Sequence, residues 1–249
     1  MMRALLFSLS LLLAAPAAAA DGDCSKPAEA EADCLLQAIW EAMASFPADK
    51  QARLKPLFAD TVALSGDAAL LGEWQDRLGG VAAPRQHYPD YVREQAEAVL
   101  QEAGWDGFLQ RAKAGLPPFN TGRPELMAAA ARLAPDPATH ERVVATMFDL
   151  AGSPAYSGYP MGSFERGDFG HLLAELAMED CDLATFDRAL PLTLDPAGLR
   201  YAFWRARIAG GAGALAGRVR LENTGTDTRH VREALEGYGA ILGLGYCRP

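Results

Sequence analysis

Apolar residues recur at helical spacing through most of the chain, and the pattern is densest from Asp195 to Arg220, DPAGLRYAFWRARIAGGAGALAGRVR. At 100° per residue, Leu199, Ala202, Phe203, Ala206 and Ala209 fall on one face, with Tyr201, Trp204 and Ile208 nearly opposite. A helix with two apolar faces is covered from two sides, as inside a stack; a surface helix carries one stripe. Asp195 with Pro196 behind it suits a helix start, predicting a helix to about Ala209. Gly210, Gly211 and Gly213 then suit a turn into a second helix.

The same periodicity predicts helices over Asp33 to Phe46, from Pro47 through Val62, and over Asp67 to Leu78. Asp90 to Ala103 with Trp105 to Ala114, and Glu125 to Leu133 with Pro137 to Leu150, read as two further pairs. Asp168 to Met178, Leu183 to Leu190 and Thr228 to about Leu244 complete the set, while Gly152 to Gly167 reads as a 16-residue irregular connection. No stretch sustains a period of two, so the predicted class is all-α with essentially no sheet.

Aligning Gly66, Gly104, Gly167 and Gly210 places Ala69, Gly107, Gly170 and Gly213 three residues on, and Leu71, Leu109, Leu172 and Leu215 five on. A turn glycine, a small contact residue and a leucine knob are what a stacked helical hairpin requires. The Gly-Asp-x-x-x-Leu starts at Gly66-Asp67 and Gly167-Asp168 resemble the second helix of tetratricopeptide-like repeats in exported bacterial proteins. The consensus tryptophan, tyrosine and proline of that family do not recur. The resemblance implies an alpha-solenoid of stacked antiparallel helix pairs with a partner-binding role, and it transfers no site residues.

The first twenty residues stand apart. Arg3, the apolar run Ala4 to Leu13 and Ala18-Ala19-Ala20 form a secretory signal peptide with cleavage near Ala20, predicting a periplasmic or secreted, soluble protein. The expected organisation is the signal peptide, residues 1–20, and a single helical domain, residues 21–249. No later run is long and apolar enough for a membrane span. From Asp21 to Asp187 there are 13 basic and 27 acidic residues; from Arg188 to Pro249 there are 9 and 5. So acidic a body repels nucleic acid and anionic lipid, which removes both as partners unless the basic end acts alone.

Chemistry is sparse. His171 and Glu175 share a helix face, but one histidine near carboxylates is ordinary on an acidic helix. His140-Glu141 lacks the second histidine of a zinc-protease motif, and neither GxSxG nor GxGxxG occurs. No cofactor, metal or catalytic residue is predicted. The glycines of Gly237-Tyr238-Gly239, Gly243 and Gly245 suit a tightly docked last helix.

Three loops combine arginine with aromatics, the side chains that dominate binding hot spots. They supply the candidate binding residues: Arg85, His87 and Tyr88; Phe119 and Arg123; Tyr156, Tyr159, Phe164 and Arg166. The leading expectation is a binding or scaffolding module for a protein, peptide or cell-envelope component. The alternatives are a hydrolase using acidic residues or a metal near His171, and an accessory subunit held through the basic C-terminal end.

Cys24, Cys34, Cys181 and Cys247, in a chain with a signal peptide, predict two disulfides. Cys24–Cys34 with Cys181–Cys247 is the favoured pairing; joining Cys24 or Cys34 to Cys247 is the alternative. Thiol titration of the exported protein in denaturant is expected to find no free thiol before reduction and four after it. Four free thiols before reduction would overturn the oxidised state.

Overall fold

The computed structural model describes residues 29–79, 89–153, 160–210 and 228–244. They form ten α-helices and no strand, so the chain is all-α. Helices α1 (Glu29–Ala44), α2 (Ala48–Leu64) and α3 (Ala68–Leu78) make an N-terminal unit. The Asp67 carboxylate accepts from the Ala69 and Leu70 N–H groups, capping α3, after Gly66 has turned the chain at φ 64°. Trp40, Phe58 and Trp74, one from each helix, meet with ring centroids 4.9–5.6 Å apart and tilted or edge-on, the geometry ring quadrupoles prefer.

Helix α4 (Pro89–Ala114) is kinked where Gly104 leaves helical geometry at φ 65°, ψ 179°. The predicted break between two helices is therefore real. Next come α5 (Arg123–Leu133), α6 (Pro137–Ala151), α7 (Pro160–Glu179), α8 (Leu183–Ala189) with a 3-10 turn at Leu190–Leu192, α9 (Leu199–Gly210) and α10 (Arg229–Leu244). Asp136 and Asp182 cap α6 and α8 through their carboxylates.

Three expectations change. The connection predicted over Gly152 to Gly167 is already helical from Pro160, so Phe164 and Arg166 sit on α7. Gly167 is not a turn residue: α7 runs through it, and its missing side chain makes room for Leu194. Helix α9 begins at Leu199, where the Glu233 carboxylate accepts the Leu199 N–H at 3.1 Å, and residues 195–198 form a turn closed by Gly198 N–H to Asp195 O.

The two-faced helix is found as expected. Tyr201, Phe203, Trp204 and Ala206 are all buried, and α9 packs against α7, α8 and α10. The indole N–H of Trp204 donates to Gly237 O at 2.9 Å. A Cβ on Gly237 would stand 2.9 Å from the Arg200 Cα, so α9 and α10 approach at backbone distance. Gly239 and Gly243 face α2 instead, against Thr61 and Leu64. The last helix thus lies between α9 and the N-terminal unit, contacting α1 and α2. A solenoid stacked strictly in chain order joins neighbours only; here the final helix returns to the first two.

The second close approach is at Gly170, buried in α7, where a Cβ would fall 2.6 Å from the Leu192 carbonyl carbon and the Thr193 nitrogen. Backbone cannot yield as a flexible side chain can, so Gly170→Ala is expected to destabilise by about 1–3 kcal/mol despite alanine's higher helix propensity. Gly72, exposed in α3 with nothing near its Cβ position, is expected to respond oppositely, Gly72→Ala gaining about 0.5–1 kcal/mol. Urea denaturation of both variants checks the pair of signs.

Candidate binding surfaces at the two ends of a helix layer

Helices α5 and α7 run parallel. Arg123, at the start of α5, lies 3.4 Å from Glu165 near the start of α7, and Arg132, at the end of α5, bonds Glu179 at 2.5 Å and reaches Glu175 at 3.5 Å. Helix α6 runs the other way, its His140 meeting Asp180 just beyond the end of α7. The layer therefore has two ends, separated by the 11 residues of α5, about 16 Å of helix axis.

At the first end, the Arg123 guanidinium lies against Gly115, donates from Nε to Phe119 O at 3.3 Å and pairs with Glu165. This ties the loop before α5 to the first turns of α7. Phe119 itself is only 1% exposed, its ring edge-on to Phe108 at 4.8 Å, so it serves the core and not the surface. Its neighbours behave differently. Leu116 beside Gly115, Phe164 beside Glu165, and Leu194 against Gly167 are 51%, 56% and 60% exposed. Arg166 is exposed next to them. Of the other candidate residues, Arg85, His87, Tyr88, Tyr156 and Tyr159 lie outside the described residues. The structure thus pairs Arg123 with Glu165, the residue between Phe164 and Arg166 on α7. Leu116 and Leu194 were missed because single leucines in short loops carry no pattern that separates them from core.

His171 lies midway along α7. Its Nδ1 is 3.1 Å from the Tyr201 hydroxyl, and its ring packs on Trp204 with centroids 5.5 Å apart. Burial, with the Arg200 charge nearby, lowers its pKa from 6.5 to about 4 and leaves the imidazole neutral. Burial pushes the Glu175 carboxyl upward, against the opposing pull of Arg132. The histidine is held by aromatic packing, and no group of three His, Cys, Asp or Glu side chains arranged for a metal ion occurs among the described residues. The convergent set that a metal-dependent hydrolase near His171 requires is not assembled there.

At the opposite end, a groove of about 780 Å³ opens between the α5–α6 turn, α6, the end of α7 and α8. Val144, Phe148, Leu176 and Ala177 give it an apolar floor. Asp136, Glu141, Asp180 and Asp182 stand around it. Asp136 is held below the usual carboxylate range first by the Thr139 N–H, and Asp182 first by the Thr185 hydroxyl. His140 spans the groove wall, with Nδ1 3.0 Å from Ala131 O and Nε2 2.9 Å from an Asp180 carboxylate oxygen. Both ring nitrogens lie within hydrogen-bond distance of protein oxygens, so the ring is tied to the Ala131 carbonyl and to Asp180.

Among the described residues of the basic C-terminal end, Arg200 and Arg205 are paired with carboxylates. Arg205 bonds Asp187 at 2.8 and 3.0 Å, and Arg200 pairs with Glu236. Arg232 is exposed, while Arg218 and Arg220 lie outside the described residues. Among the described residues, no disulfide joins two of them, neither Cys34 nor Cys181 is a free thiol, and no helix is long and apolar enough to cross a membrane. Cys24, Cys247 and the predicted signal peptide lie outside them.

Comparison with protein-family models, with curated proteins and with solved structures finds no match.

The neutral His171 carries a pH signature. Its folded-state pKa of about 4 lies below the unfolded 6.5, so between these values the unfolded chain binds the proton more readily and stability falls as pH falls. From pH 7.5 to 5 the loss from this one group is about 2 kcal/mol. Denaturant titrations of wild type and His171→Phe at both pH values check it, the variant being expected to lose about 2 kcal/mol less over that interval.

Proposed function

We propose that the protein is an exported, non-enzymatic binding module, a tetratricopeptide-like helical scaffold whose first α5/α7 end docks a protein or peptide of the cell envelope. The supporting observation is the exposure of Leu116, Phe164 and Leu194 on the elements that meet at this end of the layer, where Arg123 pairs with Glu165. Large apolar side chains left in water around a charged pair are the anatomy of a docking patch, with an apolar centre beside directional polar groups. Arg123 is held in place by Phe119 O and Glu165, so the patch is ordered before a partner arrives, which lowers the entropic cost of binding. The oxidised cysteines belong to the same reading, with Cys24–Cys34 fastening the N-terminal arm to α1 and Cys181–Cys247 fastening the C-terminus to the α7–α8 turn.

Affinity capture from envelope extract tests it. With tagged protein recovered after export, the wild type is expected to retain a saturable partner that Phe164→Ser with Leu116→Ser reduces at least tenfold, while the melting temperature stays within a few degrees because both side chains are exposed. Undiminished capture by the double variant would remove this end as the docking surface.

A further inference from the structure

The groove at the far end of the α5/α7 layer carries its own specimen of a ligand. Arg188, an exposed residue of α8, lays its guanidinium over the Phe148 ring at 4.1 Å from the centroid. Its charge also acts favourably on the nearby Asp182 carboxylate. One cation is thus already seated on the aromatic floor, with carboxylates beside it. We propose that this groove binds a cationic amphipathic peptide segment, an incoming lysine or arginine taking the Phe148 position that Arg188 holds in the free protein while flanking aliphatic side chains cover the apolar floor.

Three features carry the assignment. The floor is apolar and part-open: Phe148 and Val144 are half-buried, Leu176 and Ala177 fully buried beneath them. The rim is negative, because Asp136 and Asp182 remain ionised in their capping roles, Glu141 is exposed, and Asp180 keeps half its side-chain surface in water while holding His140. An anionic or neutral segment gains nothing from such a rim, whereas a cation flanked by aliphatic groups matches both rim and floor. Finally, Arg188 makes the site self-competing: it satisfies Phe148 when the groove is empty and must leave when a cation arrives. Both the groove and its occupant are distinct from the docking patch at the other end, so the two readings stand or fall separately.

Fluorescence anisotropy of the full-length chain with three labelled seven-residue peptides tests the assignment. The peptides alternate leucine with arginine, serine or glutamate. The arginine peptide is expected to bind at least tenfold tighter than the serine peptide, to weaken with added salt, and to be lost on Val144→Arg, which fills the groove. Glu141→Lys, a surface change away from the core, is expected to weaken it several-fold. The decisive variant is Arg188→Ala, expected to bind the arginine peptide about threefold tighter or more, since the competing internal cation is gone. Weaker binding by Arg188→Ala, or preference for the glutamate peptide, would assign the groove to an anionic partner and overturn the proposal. Equal binding of the serine and arginine peptides, binding that survives Val144→Arg, or no binding of any peptide would overturn it as well.

Discussion

The structure depends on two backbone surfaces being allowed to touch. Helix α10 meets α9 through Gly237 and α2 through Gly239 and Gly243, and at Gly237 even one methyl group would collide with the Arg200 Cα. Because the approach is so close, the Trp204 indole can reach the Gly237 carbonyl and be satisfied in a fully buried position. The heavily apolar character of α9 follows, since α7, α8 and α10 all pack on it. The N-terminal unit, with its own aromatic cluster of Trp40, Phe58 and Trp74, is joined to the rest of the described fold largely through this helix.

The parallel pair α5 and α7 organises the surface in the same way that α10 organises the interior. Ion pairs at both ends fix its register: Arg123 with Glu165 at one, Arg132 with Glu175 and Glu179 at the other. The two ends differ in chemistry because different connections lead away from them. A loop rich in glycine and proline enters α5 and leaves Leu116 exposed, whereas the tight turns before α6 and α8 each need a capping aspartate and so gather negative charge. The contrast between an apolar patch and an acidic groove is a by-product of how helices are started and stopped.

Much of this was legible from local rules. Asp67, Asp136 and Asp182 announce helix starts by a mechanism acting within three residues, and Gly104 breaks α4 where the periodicity breaks. The tight docking of α10 was visible in its glycine spacing. Gly167 was the harder case, because glycine signals a turn and a close approach by the same letter. Here the space is needed by Leu194, more than twenty residues away, so no local reading distinguishes the two uses, whereas Gly170, read as a small contact residue, is one. The early start of α7 was hidden for the same reason. Among the candidate binding residues, Arg123 pairs with Glu165 of α7, but the burial of Phe119 depends on Phe108 in another helix. The groove was invisible in sequence, since its floor and rim come from four separate stretches.

The return of α10 to α2 sets a timetable for the chain. Thr61 lies 3.5 Å from Leu235 O, 174 positions away in the chain, and Leu64 rests on Gly239 and Gly243. While the ribosome is still adding residues, the faces of α1 and α2 that will meet α10 have nothing to close on until residues 229–244 have been made. Contacts of such long sequence separation form late and at a large entropic cost. The N-terminal unit therefore stays open along one side until α10 has been made, and a chain that stops before residue 229 leaves that face in water.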